Sequence, residues 1–587
     1  MRFPTFHRKS PGDGDASHND LDSQKENKSS LNSDPNTLDS SSDSDSEKVQ
    51  FGVQQAQAVA AAWSKKALVF AYLGIFMVFF TCSLQQQVTG ALTPYVTSAF
   101  AKHSLIATTS IMSSIIGAVS KLPVAKIIDI WGRAEGYMLM VMFCVIGLVM
   151  MASCTGVETY AAAQVFYWIG YNGISYVLDV FLADTSSLRN RGWIFAFSTS
   201  PYIATAFAGP AAAQQFYRHY GWRWAFGTFS IVAPVVSIPL VYIFYRSRRK
   251  AQELGYLKKQ PSGRTFWESV KYYTVQFDVL GMILCIAGFS LILLPLNIIS
   301  FAPAMRTSPL VITMFVIGFS SMIGFWTWER WGAPVRFAPF HLLTDPMVLG
   351  GCGLSAILFC SFYCWDLFFV SYLQVVQGLD IRTAGYVGNI FSIDSDLLKN
   401  QTSFIRYYGK FKYVALIALP FQMVGIGLMV KFRQPGTDLW LVIMCQVLIA
   451  ASGGTLTICE QMAVMAAANT SEIAIVLALL GLFSSIGGAI GQTIAGTIWM
   501  NTFPKQLGIL LPEVSKAKVA EIFSSLSVQL SYPMGSMERD AIIRVYGIGQ
   551  ERMLWVALGL LFLGIPCILA WKNVDLKKVK KNQGTAV

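Results

Sequence analysis

The chain has 587 residues, of which 54% are hydrophobic and 13% are charged, and its mean hydropathy is +0.48. A polar surface cannot cover so large an apolar excess, which excludes a soluble globular protein. The formal net charge of +12 does not indicate a nucleic-acid partner, because the basic residues are spread over many loops and form no basic domain.

Residues 1–63 form a polar segment rich in Ser, Asp, Asn and Lys. Such a composition buries too little apolar surface to fold and predicts a disordered cytosolic tail. We interpret it as a solubilising segment. The alternative is a trafficking element that is phosphorylated on its serines or modified on Lys25 or Lys28.

Apolar stretches of about 20 residues recur from Lys66 almost to the end of the chain. They are long and unbroken, which predicts transmembrane helices rather than barrel strands. We predict spans at residues 67–87, 104–125, 136–154, 159–183, 192–215, 224–245, 278–298, 309–327, 347–375, 413–430, 438–459, 473–499 and 553–571. A further, irregular span near 384–405 carries Asp394, Asp396 and Lys399, and brings the total to about fourteen.

The loops alternate between weakly and strongly basic along the chain. Lys and Arg collect on the cytosolic side of a membrane, so the cluster from Arg246 to Lys271 and the basic C-terminal tail are predicted to be cytosolic. Both termini then lie in the cytosol. This arrangement needs an even number of spans and therefore supports the irregular one.

These features predict an all-α membrane protein. Its predicted parts are a six-helix N-terminal lobe (64–246), a cytosolic linker (247–277), two extra helices (278–327), the helices of a C-terminal lobe (328–502), a long extracellular loop (503–552), a last helix (553–571) and a basic cytosolic tail (572–587).

The loop after the second span reads AKIIDIWGRAEG and contains Asp129, Gly132 and Arg133. It resembles the loop signature of the major facilitator superfamily. The resemblance implies two lobes and a gating role for these residues, in which a carboxylate and an arginine pair near helix ends. Gly409 and Lys410 repeat part of the motif, as parallel repeats predict. The alternative is an ordinary tight turn with an arginine that sets topology.

The string FLADTSSLRNRGW and the segment from Trp365 to Ile390 resemble the fungal siderophore-iron transporter family within that superfamily. The resemblance covers residues 64–575 and implies a gating role for Asp184, Arg189 and Arg191. It also implies a monomeric carrier, not an enzyme, in the plasma membrane or endosomal vesicles. Iron would travel as chelated cargo, so no cofactor and no metal ligands on the protein are expected.

By the same resemblance, the outer loop at 503–552 receives the iron chelate. Bulky, partly apolar chelates suit aromatic side chains with a few donors. The predicted substrate-binding residues are Trp365, Tyr372, Tyr532, Arg539 and Tyr546. The alternative for this loop is an amphipathic helix on the membrane surface.

Ionisable residues within a membrane are costly and indicate a transport pathway. Asp179, Asp366 and Glu460 fall in or at the end of predicted spans and are the candidates for proton coupling. The alternative is a structural acid, such as Asp179 paired with Lys121.

No GxxxxGK[ST] loop for nucleotide occurs, so a gradient must drive transport. We predict import of ferric siderophores by proton symport, with siderophore, protons and the lipid bilayer as partners. One alternative is a proton antiporter that exports drugs or glutathione, which Gly209 and Pro210 mildly favour. Another is a receptor that senses its ligand without transport. Gly487 and Gly491 are predicted to serve helix packing.

Overall fold

The computed structural model describes residues 65–100, 131–185, 200–253, 265–276, 278–301, 308–333, 344–391, 410–468 and 473–573, with isolated residues between 117 and 198 and Leu342. The predicted tails, most of the second span and residues 392–405 of the irregular span lie outside this part of the chain.

All regular secondary structure in the described residues is helical, as the apolar runs predict. Nine helical stretches in this part of the chain are long and apolar enough to cross a membrane. The chain is therefore an integral membrane protein of the all-α class. The total of about fourteen spans stays a prediction.

The part of the first bundle that the structure describes contains five helices. They are α1 (Lys65–Ala99), α2 (Arg133–Ser153), α3 (Val157–Thr185), α4 (Pro201–Gln215) and α5 (Trp222–Glu253). Helix α2 packs on α3 and α5, and α1 packs on α4 and α5. A π-helical turn, Phe216–Tyr220, extends α4. Helix α5 continues beyond residue 246, where we predict the lobe to end.

The next helices are α6 (Phe266–Gln276), α7 (Val279–Phe301) and α8 (Pro309–Thr327). Helices α7 and α8 pack on each other and correspond to the two extra helices predicted at 278–327. The side chain of Asp278, just before α7, accepts a hydrogen bond of 2.7 Å from the indole of Trp328 after α8.

The second bundle starts with α9 (Pro346–Asp366), α10 (Phe369–Val375) and α11 (Ile381–Gly388). It continues with α12 (Phe411–Phe432), α13 (Leu439–Ala467), α14 (Ile473–Leu510), α15 (Lys516–Ser524), α16 (Leu526–Ser531), α17 (Met537–Leu561) and α18 (Gly564–Leu569). Helix α9 lies at its centre and packs on α13, α14 and α17. Helix α11 instead packs on α4 of the first bundle.

Helices α9 and α14 approach closely because glycines face the neighbouring backbone. A Cβ atom at Gly487 would overlap the carbonyl oxygen of Ala356, and one at Gly491 would overlap that of Cys360. Small residues at such positions allow helices in a membrane to pack tightly. The predicted packing role of the two glycines is confirmed.

Helices occupy both ends of the predicted outer loop at 503–552. Helix α14 continues to Leu510, and α17 begins at Met537 rather than near residue 553. Ser536 caps α17 by accepting a hydrogen bond of 3.2 Å from the backbone N–H of Arg539. The charged first turns of α17 hid this helix from a hydropathy criterion, which recognises only apolar segments.

Candidate functional site

A cavity of about 500 Å³ lies between the two bundles. Residues of α1, α3 and α4 line one side, and residues of α9, α10, α11 and α14 line the other. Its volume is in the range of pockets that bind small molecules.

The cavity wall combines aromatic rings with amide side chains. The described lining residues with such side chains are Gln86, Gln87, Gln164, Tyr167, Trp168, Asn172, Phe359, Phe362, Tyr363, Asn389 and Gln492. Asp366 is the acidic residue among the described lining residues. The wall can therefore stack on a flat or apolar ligand and form hydrogen bonds to it.

Hydrogen bonds fix the polar groups on the first bundle's side. The hydroxyl of Tyr171 donates to the side-chain oxygen of Gln86 over 2.6 Å, and it lies 2.8 Å from the hydroxyl of Tyr202. The indole of Trp168 donates to the side-chain oxygen of Gln164 over 2.9 Å. These contacts hold the cavity wall in place before a ligand binds.

Asp366 is the last residue of α9 and stands where the helix breaks. Leu367 and Phe368 form a turn, and α10 then begins at Phe369. Irregular backbone at membrane depth is tolerated where it lines a cavity, and discontinuous helices commonly form carrier binding sites. Leu367 lines the cavity together with Asp366.

Arg433 lies behind this break and is 0% exposed. Its guanidinium donates to the carbonyl oxygen of Trp365 over 3.1 Å. It also lies 4.1 Å from the ring centroid of Phe369 and 5.2 Å from that of Tyr372. Asp366 interacts electrostatically with Arg433, so a buried cation accompanies the cavity's carboxylate.

The predicted substrate-binding residues Trp365 and Tyr372 are both 0% exposed. They form part of the aromatic cage around Arg433, and neither belongs to the described lining of the cavity. Their role in the structure is to enclose the arginine, whereas Asp366, between them in sequence, reaches the cavity.

Glu460 lies on α13 and is 1% exposed. The Ser355 hydroxyl donates to its Oε1 atom over 2.9 Å. Asp179, the third predicted coupling residue, is half-buried on α3 and does not belong to the described cavity lining.

The two bundles meet at the end of the molecule where α1 finishes, which we call the Ala99 end. Tyr95 donates a hydrogen bond to Gln374 across the bundles there. The backbone N–H of Arg382 donates to the side-chain oxygen of Gln214 over 3.2 Å. The Asn389 amide donates to the carbonyl oxygen of Ala206 over 2.9 Å.

A second pocket, of about 470 Å³, opens between the bundles at the Ala99 end. Arg218, Asp380 and Arg382 line it. The pKa of Asp380 lies below its ordinary value, first because of a hydrogen bond with the Thr383 side chain and also because of the nearby guanidinium of Arg218. The carboxylate therefore stays ionised and can attract the arginine of the other bundle.

The segment between α14 and α17 folds back over the Ala99 end. The backbone N–H of Leu526 bonds to the Ser98 hydroxyl over 2.9 Å, which ties the segment to α1. Arg539 is 3% exposed and donates to the carbonyl oxygen of Val375 over 2.9 Å. Tyr546 is 0% exposed and donates to the side chain of Gln529 over 2.8 Å.

Three of the predicted substrate-binding residues fall within residues 503–552. Tyr532 lies between α14 and α17, and Arg539 and Tyr546 lie on α17. Arg539 and Tyr546 are buried and hold the segment together, whereas Tyr532 is half-buried. In this conformation the segment between α14 and α17 packs over the junction of α1 and α10.

The gating candidates that the structure describes lie at the opposite end of the two bundles from the Ala99 end. Gly132 has a φ of 105°, a conformation that favours glycine, and precedes α2. Arg133 donates to the carbonyl oxygen of Ile128 over 3.0 Å. The ammonium of Lys410 lies 5.8 Å from the ring centroid of Tyr413. Asp129, Arg189, Arg191 and Gly409, and the side chain of Asp184, lie outside the described part of the chain.

The profile of the Major Facilitator Superfamily matches residues 71–395. MFS siderochrome iron transporter 1 of Ajellomyces capsulatus is 46% identical over 540 residues, which cover 92% of each chain. The chain belongs to the siderophore-iron transporter family of the major facilitator superfamily. Siderochrome iron transporter 2 of Aspergillus fumigatus is 43% identical over 92% of this chain and 89% of its own. Siderophore iron transporter mirB of Emericella nidulans is 40% identical over 92% and 90%.

Solved structures agree with the major facilitator fold. A peptide transporter POT in complex with sulfate has a TM-score of 0.57 at 13% identity, and covers 88% of this chain and 99% of its own. A bacterial homologue of the human lysosomal transporter Spinster has a TM-score of 0.52 at 15% identity, with coverage of 86% and 97%. At these identities the likeness shows the fold alone.

Two features of this family member were missed by reasoning from sequence. Arg433 follows a span, so its sequence position indicates a loop arginine that sets topology. In the structure it is fully buried. Glu135 and Arg248 form a salt bridge between α2 and α5. A charge near the start of α2 and a basic cluster at the end of α5 were the available signals for that pair.

Proposed function

We propose that this protein is a secondary transporter that imports ferric siderophore chelates. Relatives that share 40–46% of its residues over nine-tenths of both chains are named siderochrome or siderophore iron transporters. This likeness carries the proposal. The cavity supports it, because aromatic rings and amides suit a chelate whose metal already has all its ligands.

In this proposal the carrier is a proton symporter, and the proton gradient supplies the driving force. Asp366 faces the cavity, and a carboxylate that changes its surroundings as the bundles rock can gain and lose a proton in each cycle. We assign Asp366 as the coupling group nearest the cargo, with Glu460 as a second group set back from the cavity.

We place the Ala99 end outside the cell and both termini in the cytosol, in the plasma membrane, with one chain as the working unit. The charge distribution of the loops supports this orientation. Contacts between the bundles then close the outer side, and the segment 511–536 lies over it.

The test is uptake of radiolabelled ferrichrome, coprogen and a fusarinine-type chelate by cells that lack other siderophore carriers. Expression of this chain should produce accumulation of at least one chelate, and a protonophore should abolish it. The matched control is the same cell with an empty vector, given each chelate at the same pH. Export of drugs or glutathione without chelate accumulation would replace the proposal with the antiporter alternative.

A further inference from the structure

Glu460 is a buried acid whose hydrogen bonding is incomplete. Its Oε1 atom accepts from Ser355, whereas its Oε2 atom has no hydrogen-bond partner among the described residues. A buried polar atom without a partner is costly, so its presence calls for a physical explanation.

A chain of hydroxyl groups joins Glu460 to the central cavity. Ser355 is 0% exposed and its hydroxyl oxygen lies 2.6 Å from that of Ser484. Ser484 lies on α14 and is one of the residues that line the cavity. The path thus runs from the cavity wall through two hydroxyl groups to a buried carboxyl group, with hydrogen-bond distances at each step.

Among the described residues, two thiols are the titratable groups that interact with Glu460. Cys352 on α9 and Cys459 on α13 both interact with it electrostatically. Both thiols are buried, and neither is an acid or base that exchanges protons readily near neutral pH. Ser484 therefore provides the described polar connection between Glu460 and the cavity.

We propose that Ser484 and Ser355 relay protons between the substrate cavity and Glu460, which makes Glu460 a proton-storage site separate from the cargo. This proposal rests on the proposed proton symport and specifies how a proton reaches an acid that does not line the cavity. Asp366 would then sense cargo and proton together, while Glu460 holds a proton out of the cargo's reach.

The relay needs only small rotations of the two hydroxyl groups. Ser484 donates to the carbonyl oxygen of Leu480 over 2.8 Å and can turn to donate to Ser355 instead. A hydronium ion in the cavity gives a proton to the Ser484 oxygen and becomes water, as Ser484 passes its own proton to Ser355. Ser355 in turn passes its proton to Glu460 Oε1. Each hydroxyl regains one proton, and the carboxylate becomes a neutral acid.

The experiment separates chelate exchange from proton-driven accumulation in membrane vesicles. Glu460→Gln keeps the size of the side chain but cannot take up a proton. It should exchange internal unlabelled chelate for external labelled chelate at the wild-type rate, and lose accumulation driven by a pH gradient. Ser355→Ala and Ser484→Ala should slow that accumulation about tenfold or more, and Ser484→Thr should restore it.

Ser361→Ala is the matched control. Ser361 lies on α9 like Ser355, is 1% exposed, and donates to the carbonyl oxygen of Ala557 over 2.9 Å. It should accumulate chelate with the wild-type pH profile. If Glu460→Gln folds poorly, it loses exchange as well as accumulation. Ser355→Ala and Ser484→Ala then test the relay.

Gradient-driven accumulation at the wild-type rate in both serine variants, or any such accumulation by Glu460→Gln, would overturn the relay. Either result leaves the symport proposal standing, as long as the wild-type protein accumulates chelate and a protonophore abolishes it. Failure of the wild-type protein in that assay would instead count against the symport.

Discussion

The guanidinium of Arg433 donates a hydrogen bond of 3.1 Å to the backbone carbonyl oxygen of Trp365, the residue before Asp366. The last carbonyl groups of a helix have no partner within it, and a cation near that end also meets the negative end of the helix dipole. Arg433 therefore caps α9 where the helix breaks. It holds the turn that places Asp366 at the cavity wall.

Replacing Arg433 with glutamine should destabilise the protein. The variant loses the cap on α9 and the contacts with the aromatic rings, at a cost of about 3 kcal/mol. The expected result is a lower temperature at which detergent-solubilised protein loses its monodisperse peak. Lys431→Gln is the control, since Lys431 is exposed in the last turn of α12, the helix that ends just before Arg433. Equal thermal stability of the two variants would show that the cap contributes little.

Replacing Asp366 with asparagine should uncouple transport. The amide has nearly the shape of the carboxyl group but cannot take up a proton, so exchange of chelate should persist while accumulation against a gradient is lost. Because Asp366 lines the cavity, the variant should also change the apparent affinity for chelate, unlike Glu460→Gln. Glu158→Gln, which removes an exposed acid in the first turn of α3, should transport normally. Undiminished accumulation by Asp366→Asn contradicts the assignment.

The sequence predicts the apolar helices well, because a span needs only length and hydrophobicity, and these are local properties. Asp366 was also predicted as an ionisable residue inside a span, and the structure places it at the cavity. The packing of Gly487 and Gly491 followed from the small-residue pattern alone.

What the sequence could not reveal is which way side chains face around an interrupted helix. Trp365 and Tyr372 lie on either side of the turn at Leu367, and this turn directs both towards Arg433. The contact between Ser355 and Ser484 joins helices far apart in sequence, and no local pattern indicates it. Contacts of this kind depend on tertiary packing.

Adding a methyl group at the contact of α9 and α14 should destabilise the second bundle. Gly491→Ala would force its Cβ atom against the Cys360 carbonyl oxygen, at a cost of about 1–3 kcal/mol for overpacking. Gly508→Ala in the same helix is the matched control, because nothing lies within 4 Å of a Cβ atom there. Gly491→Ala should therefore give a lower yield of folded protein when membranes are solubilised and analysed by size-exclusion chromatography. Gly508→Ala should match the wild type. Equal yields would argue against a tight contact.

Removing the carboxylate of Asp380 should loosen the closure at the Ala99 end. Asp380 and Arg218 line the same pocket on different bundles, and exposed charge pairs of this kind contribute about 0.2–1 kcal/mol. With a cysteine introduced at Ala211 in that pocket, Asp380→Ala should raise the rate of labelling by an impermeant thiol reagent about 2–5-fold. Asp438→Ala, which removes an exposed acid before α13, should not change the rate.

The pH dependence of that labelling follows from the lowered pKa of Asp380. A depressed pKa means that the carboxylate contributes to closure above its ordinary value of 3.8, and that the contribution is lost only as the pH falls below this value. The ratio of labelling rates, Asp380→Ala over the parent, should therefore be the same at about pH 5 and about pH 7. The ratio cancels the intrinsic pH dependence of the thiol reaction. If it falls to one at the lower pH, the carboxylate has gained a proton there, and its pairing with Arg218 cannot hold the closed state in acidic medium.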